Sequence, residues 1–259
     1  MMNLFSIYVF VLGLIIGSFL NCLIWRLYKG ESISGRSYCP HCRQRIDWYD
    51  NIPILSFFLL AGRCRKCQKK ISWQYPLVEL AVGLLFLSTF QADFFSSQFL
   101  LLLSRDWLLI AALVIIFVYD FRWQLIPMTV IWPLIVVIFI LNLTLGLPFF
   151  TLLFFTILGA AFFLVQYLAT KKRGVGEGDI WLGALLGASF PTFDKLFLIM
   201  IISYSLGAIV SLILMKLNKK NWQSRIALGP FLALAAIITL LWGSLIINWY
   251  WNLPLPFLG

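Results

Sequence analysis

Residues 108–120 read LLIAALVIIFVYD, an unbroken apolar run from Leu108 to Tyr119 closed by Asp120. Its counterpart is GVGEGDIWLGALLGASF, residues 174–190, where a glycine-rich turn leads into Asp179 and a further apolar run ends at Phe190. These two stretches decide the fold. Each contains a helix-forming run too apolar for a water-facing surface, and each run has an aspartate at its edge. An ionisable group at the boundary of a hydrophobic bundle is costly and marks function by default.

Working outward, the chain is 62% hydrophobic and 12% charged, with a mean hydropathy of +0.95. A soluble chain of 259 residues has no interior large enough for that surface, whereas a bilayer has. The expected fold class is an all-α integral membrane protein, a polytopic bundle of about eight transmembrane helices with a small cytoplasmic loop domain. Hydropathy and breaker residues place spans at 4–25, 76–92, 106–121, 126–145, 148–169, 179–190, 195–215 and 226–249. The third span can begin as early as Phe99. Pro133 interrupts the fourth, where it can kink the helix without ending it. The sixth falls short of the roughly 20 residues a bilayer requires. A helix that short suits an N-terminus recessed in a water-filled cavity, which puts Asp179 inside the membrane plane. The first run, Leu4–Trp25, has no basic n-region and is too long for a signal-peptide core, so it reads as a transmembrane helix.

Alternating these spans puts 26–75, 122–125, 170–178 and 216–225 on one side and 93–105, 146–147 and 191–194 on the other. Of the 20 Lys and Arg, all but Arg105 and Lys195 fall on the first side. The positive-inside bias makes that side cytoplasmic, with both termini outside and Asp120 and Asp179 at the cytoplasmic face. The same distribution explains the net charge of +10 without a nucleic-acid partner, since the basic loops are short and hug helix ends, where anionic lipid lies. Three parts are expected: the first transmembrane helix (1–25), a cytoplasmic loop domain (26–75) and the remaining bundle (76–259).

The loop domain contains Cys39-Pro40-His41-Cys42 and Cys64-Arg65-Lys66-Cys67, two C-x2-C pairs 21 residues apart. Each pair can turn both thiolates to one side of a tight knuckle, and two knuckles complete a tetrahedral site. Zinc is the natural occupant of Cys39, Cys42, Cys64 and Cys67, because cytoplasmic thiols stay reduced and so short a loop lacks core enough to fold alone. A disulfide framework is the structural rival. Four thiolates leave no open position for water, so the metal is expected to be structural. His41, the only histidine, is left outside the ligand set. Its position in this loop argues against histidine-dependent metal, serine and cysteine hydrolysis. Cys22 reads as a packing thiol.

Asp120 and Asp179 can act as a pair. Peptide hydrolysis needs a base for water and an acid for the carbonyl oxygen or leaving nitrogen, and two carboxylates sharing a proton supply both. Gly174, Gly176 and Gly178 are expected to bring backbone close to substrate and to adopt φ values that other residues avoid. Capping is the plainer role for Asp179. It does not serve for Asp120, which opposes the macrodipole at a helix C-terminus. Proton or ion transport by the same acids remains a further alternative.

An ordered set of motifs runs almost from end to end. Gly17-Ser18-Phe19-Leu20-Asn21 is followed by Cys39-Pro40-His41-Cys42, Asn51-Ile52-Pro53 and Gly62-Arg63-Cys64-Arg65-Lys66-Cys67. Then come Ile71-Ser72-Trp73, Tyr75-Pro76-Leu77-Val78-Glu79-Leu80, Asp120 with Ile126-Pro127, Gly176-Glu177-Gly178-Asp179 and Gly229-Pro230-Phe231. In this the chain resembles the bacterial prepilin peptidases, the type 4 prepilin leader peptidases of the GxGD aspartyl protease class. The resemblance implies a catalytic pair, Asp120 and Asp179, supported by the loop Gly176, Glu177 and Gly178. It further implies removal of the short basic leader of type IV prepilins and pseudopilins after a glycine, at the cytoplasmic face of the bacterial inner membrane. By the same resemblance the new N-terminus is methylated with S-adenosylmethionine, and no residue is assigned to that donor.

Two positions depart from the family pattern: Met128 follows the Ile-Pro pair where an acidic or amide residue is common, and Trp181 stands where lysine is common. Trp181 is expected to anchor at the interface. Glu79 and Asn21 are read as helix-packing or buried hydrogen-bonding residues. Glu177, Asp47 and Asp50 are candidates for selecting a basic leader. The competing readings are a peptidase without methylation, a proton-coupled transporter and a zinc-organised scaffold.

Overall fold

A computed structural model describes residues 2–94, 96–171, 174–217 and 227–252. Among these the chain is helical, with only two isolated β-bridges. The helices are α1 (Met2–Lys29), α2 (Leu55–Leu59), α3 (Gln74–Asp93), α4 (Phe99–Trp123), α5 (Met128–Thr144), α6 (Phe149–Ala169), α7 (Glu177–Ser189), α8 (Phe193–Lys216) and α9 (Gly229–Trp251). Apart from the short α2, these match the eight expected spans one for one. Six of them, α1, α3, α4, α6, α8 and α9, are long and apolar enough to cross a membrane, and α5 is a shorter apolar helix. The third begins at Phe99, the earlier of the two starts considered. Pro133 lies inside α5 without ending it. At 13 residues α7 rises only about 20 Å, short of the ~30 Å hydrocarbon layer.

The chain divides into two compact units, Met1–Ile115 and Ile116–Gly259. In the first, α1 packs along α3 with almost no side chain between them. A Cβ on Gly13 would stand 2.7 Å from the Gly83 Cα, and one on Gly17 would stand 2.7 Å from the Glu79 Cα. Two small residues four apart on one helix face permit this approach, which supplies dispersion contact where lipid offers no hydrophobic drive. Asn21, 2% exposed, stitches the crossing: its amide donates to the Gly17 and Tyr75 carbonyls and accepts from Gln74 Nε2 at 3.0 Å. The buried Glu79 accepts the Ile54 N–H at 2.7 Å. Ile54 sits at φ 61°, ψ −52°, the centre of a γ-turn closed by the Leu55 N–H on the Pro53 carbonyl at 2.6 Å. Both residues thus fill the buried hydrogen-bonding role expected of them.

In the second unit α7 is the centre. Asp179 and every residue from Leu182 to Ser189 are buried, as a helix apolar on all sides requires. It packs on α5, α6 and α9, and α8 packs on α9. The α6–α7 contact is backbone on backbone: a Cβ on Gly183 would overlap the Gly159 carbonyl, and one on Gly187 the Phe155 carbonyl. The buried Asn142 of α5 donates to the Ala188 carbonyl at 2.7 Å, satisfying an acceptor in the last turn of α7.

Candidate active site and thiolate cluster

Asp179 is the third residue of α7, with Gly176 as N-cap. Its Oδ2 accepts the Gly176 N–H at 2.9 Å. Gly176 has no side-chain acceptor to return the bond, so this is half of a capping box. The capping role weighed for Asp179 is therefore real, though exerted from inside the helix. The carboxylate remains 8% exposed.

Asp120 lies in the last turn of α4, where its charge opposes that helix's dipole. The compensation comes from elsewhere. The Gly229 N–H, first in α9, donates to the Asp120 carboxylate, which is 5% exposed. A Cβ on Gly229 would overlap Asp120 Oδ2. Each aspartate thus meets N–H groups at a helix N-terminus, where anions are favoured. The two also lie close enough for the charge on Asp179 to act on Asp120. Two buried acids, 59 residues apart in sequence, thus lie in one region of the second unit.

The glycines do not adopt the φ values expected of them. None of Gly174, Gly176 and Gly178 has a positive φ, and Gly176 sits at φ −84°, ψ 161°. What matters at Gly178 is size: a Cβ there would stand 2.7 Å from Ile126 Cβ. Ile126 of the Ile-Pro pair thereby presses against the turn that carries Asp179. Glu177 is exposed, and Tyr167 donates its hydroxyl to it at 2.7 Å. Trp181 is 39% exposed and packs on Trp132 of α5, ring centroids 4.6 Å apart. Gly229 was visible only as part of a motif with no role attached; its contact with Asp120 has no local signature.

The four cysteine sulfurs lie within 4.8 Å of one another. Cys39 and Cys67 Sγ are 3.9 Å apart, close to the ~3.8 Å separation of two ligands on a tetrahedral zinc with 2.3 Å Zn–S bonds. All four are free thiols, which sets aside the disulfide alternative. The two knuckles repeat one design. In the first, the Cys39 N–H donates to Gln44 O and Arg43 N–H returns to Cys39 O; in the second, Cys64 N–H donates to Lys69 O and Gln68 N–H to Cys64 O. Arg43 and Gln68, each just after the second cysteine, share a positive φ of 56° and 57°. The N–H groups of Cys67 and Lys66 hold the Cys64 thiol down at about 7. Burial pushes Cys39 up to about 11 against the N–H groups of Cys42 and His41. His41 contributes its backbone, and its exposed side chain lies outside the cluster. This donor set fits a soft divalent cation closed by four sulfurs. Asp50 is taken up by Arg65, through a bidentate pair at 2.7 and 2.8 Å.

Comparison with known proteins agrees with this architecture. The bacterial peptidase A24 N-terminal domain model matches residues 11–92, and the type IV leader peptidase family model matches residues 107–212, which include both aspartates. A protein of Legionella pneumophila named prepilin leader peptidase/N-methyltransferase is 33% identical over 92% of this chain and 91% of its own. Proteins of the same name from Aeromonas hydrophila and Pseudomonas aeruginosa are 35% and 33% identical, each over 93% of this chain and over 92% and 91% of their own lengths. No solved structure matches. On both family models and on identity over nearly its whole length, the chain belongs to the type IV leader peptidase family.

Proposed function

We propose that the chain is a membrane-embedded endopeptidase that removes the short basic leader of type IV prepilins and pseudopilins after a glycine, with Asp120 and Asp179 as its catalytic pair. The observation that carries this reading is the meeting of two buried carboxylates inside a helical membrane bundle, each against a helix N-terminus. Neighbouring negative charges favour a pair that holds one proton between them. The ionised member takes a proton from water as the water oxygen attacks the scissile carbonyl carbon. The protonated member gives its proton to the carbonyl oxygen. In the collapse of the resulting gem-diol the second carboxylate takes back a hydroxyl proton as the C–N bond breaks, and the proton first drawn from water passes to the leaving nitrogen, which returns the pair to its singly protonated state. The products are the leader with a new carboxyl terminus and a mature chain with a free amine. Gly176 and Gly229 hold the two acids, and Ile126 fixes the turn before Asp179.

The relatives' name adds N-methylation of that amine. S-adenosylmethionine would supply the methyl group as an electrophile. The cavity beside α1 does not suit that donor: its lining includes Arg26 and no carboxylate, whereas the donor carries a net positive charge and a ribose diol that an acid commonly accepts. Zinc is the proposed occupant of the thiolate cluster, as a structural ion. The positive-inside bias supports the bacterial inner membrane, with the thiolate loop and both aspartates at the cytoplasmic face and both termini outside.

The test is co-expression with a model prepilin, reading leader removal by mass spectrometry for wild type, Asp120→Asn and Asp179→Asn. Wild type alone should cleave, while both variants accumulate in the membrane. Normal processing by either variant would refute the assignment.

A further inference from the structure

Along one face of α1, residues Ile15, Ser18, Phe19, Cys22 and Arg26 recur at helical spacing and line a cavity of about 220 Å³. The loop that follows α1 adds Ser37 and Asn51 to the lining. The opposite face of α1 is the one that carries Gly13 and Gly17 onto α3. The lining changes character along the helix axis. At one end Ile15 and Phe19 are 52% and 49% exposed, on a helix long and apolar enough to cross a membrane. Ser37 and Asn51 share the lining with Arg26.

Arg26 is the unusual member, being only 4% exposed. It donates to the backbone carbonyls of Ile33, Gly35 and Arg36, the last two at 3.1 and 3.0 Å. Among the described residues no carboxylate forms an ion pair with it. Carbonyl dipoles orient a guanidinium without neutralising it, and a buried charge is ordinarily matched by an opposite one. No acid is among the lining residues; the buried Glu79 carboxylate lies behind Ser18 and is bonded to it and to the Ile54 N–H, so at the lining itself an anion finds a cation with neutral donors beside it. Three of the five guanidinium N–H groups go to these carbonyls, both of those on Nη2 among them, which leaves the Nε–H and one Nη1–H to donate singly to phosphate oxygens.

We infer that this cavity holds an anionic phospholipid, its phosphate against Arg26, Ser37 and Asn51 and an acyl chain along Phe19 and Ile15. The dimensions agree. From Arg26 to Ile15 is about 16 Å along the helix, close to the ~15 Å hydrocarbon depth of one leaflet. A soluble anion would fill the polar end and leave the apolar end with nothing to contact. A zwitterionic headgroup would bring an ammonium towards Arg26, which disfavours it. The bound lipid thereby completes the junction between α1 and the thiolate loop, supplying the negative charge the protein omits.

The test is native mass spectrometry of the full chain in detergent, titrated with phosphatidylglycerol or with phosphatidylethanolamine of the same acyl chains. Wild type should retain one phosphatidylglycerol with an affinity about tenfold above that for phosphatidylethanolamine. Cys22→Phe fills the cavity while leaving the carbonyl partners of Arg26 in place, and it should abolish the preference. Asn51→Leu removes one donor from an exposed loop position, so it decides the matter should Cys22→Phe fail to fold. Equal retention of the two lipids, or unchanged preference in a folded variant, overturns the inference. Displacement of the lipid by inorganic phosphate or by S-adenosylhomocysteine also overturns it, because the site would then belong to a soluble ligand.

Discussion

Replacing Gly229 by alanine puts one methyl group where α9 meets the Asp120 carboxylate. The new carbon would overlap Oδ2 and stand 3.1 Å from the carboxyl carbon and 3.3 Å from the Asp120 Cβ. Restoring van der Waals separation requires the carboxylate to move by about 1 Å, which also lengthens or breaks its bond from the Gly229 N–H. A hydrogen bond to a charged group contributes about 1.5–3 kcal/mol, or roughly 10- to 150-fold in rate if it is lost from the transition state. Misplacement of a reacting group by about 1 Å alone can cost about 100-fold. Both routes give a fall in leader cleavage on the order of 100-fold, less than the loss expected for Asp120→Asn. The assay is initial-rate cleavage of a model prepilin in detergent or proteoliposomes, with membrane abundance and thermal midpoint measured in parallel. Gly207→Ala is the matched control, because a Cβ there meets only the Phe231 ring, no nearer than 3.6 Å, and should cleave like wild type. A folded Gly229→Ala enzyme within about twofold of wild-type rate would refute the positioning role.

The thiolate cluster should carry one zinc per chain by elemental analysis, and Cys39→Ser or Cys64→Ser should lose it together with stability of the loop; full occupancy in either variant would count against four-sulfur coordination. Gly183→Leu should destabilise the α6–α7 contact by more than about 3 kcal/mol, since its side chain must displace backbone and not merely repack, and a detergent-solubilised variant with an unchanged thermal midpoint would contradict the close approach.

Much of this architecture is legible in the sequence because a bilayer imposes so few solutions. Once a segment must satisfy its own backbone in hydrocarbon, length and hydropathy suffice, and the expected boundaries fall within a few residues of most helices, with even the short α7 found at nearly its full extent. The cysteine spacing carries its geometry for a similar reason: two residues between thiols leave few ways to turn a chain. Contacts between distant segments are a different matter. The role of Gly229 depends on the start of α9 meeting the end of α4, and no local pattern encodes that meeting. The glycines before Asp179 show the opposite error. Three glycines in a turn suggest unusual dihedrals, yet Gly178 is needed because Ile126 occupies the space a side chain would take. The same holds for Trp181, whose neighbour Trp132 belongs to another helix. Asp50, a candidate for reading a basic leader, is paired with Arg65 within its own loop, a contact its sequence neighbourhood does not announce.

The backbone-to-backbone seam between α6 and α7 leaves that pair without slack. Where two helices are separated by side chains, rotamers can absorb a shift; where carbonyls and glycine Cα atoms touch, a small slide becomes a collision. The helix that bears Asp179 is in this sense an anvil. If, as proposed, an extended peptide is admitted between the acids, the side left to yield would be that of Asp120, where the Gly229 N–H at the start of α9 meets the carboxylate. Substrate entry and release would then be a property of one yielding carboxylate against a fixed one, and the two aspartates, alike in chemistry, would differ in mechanics.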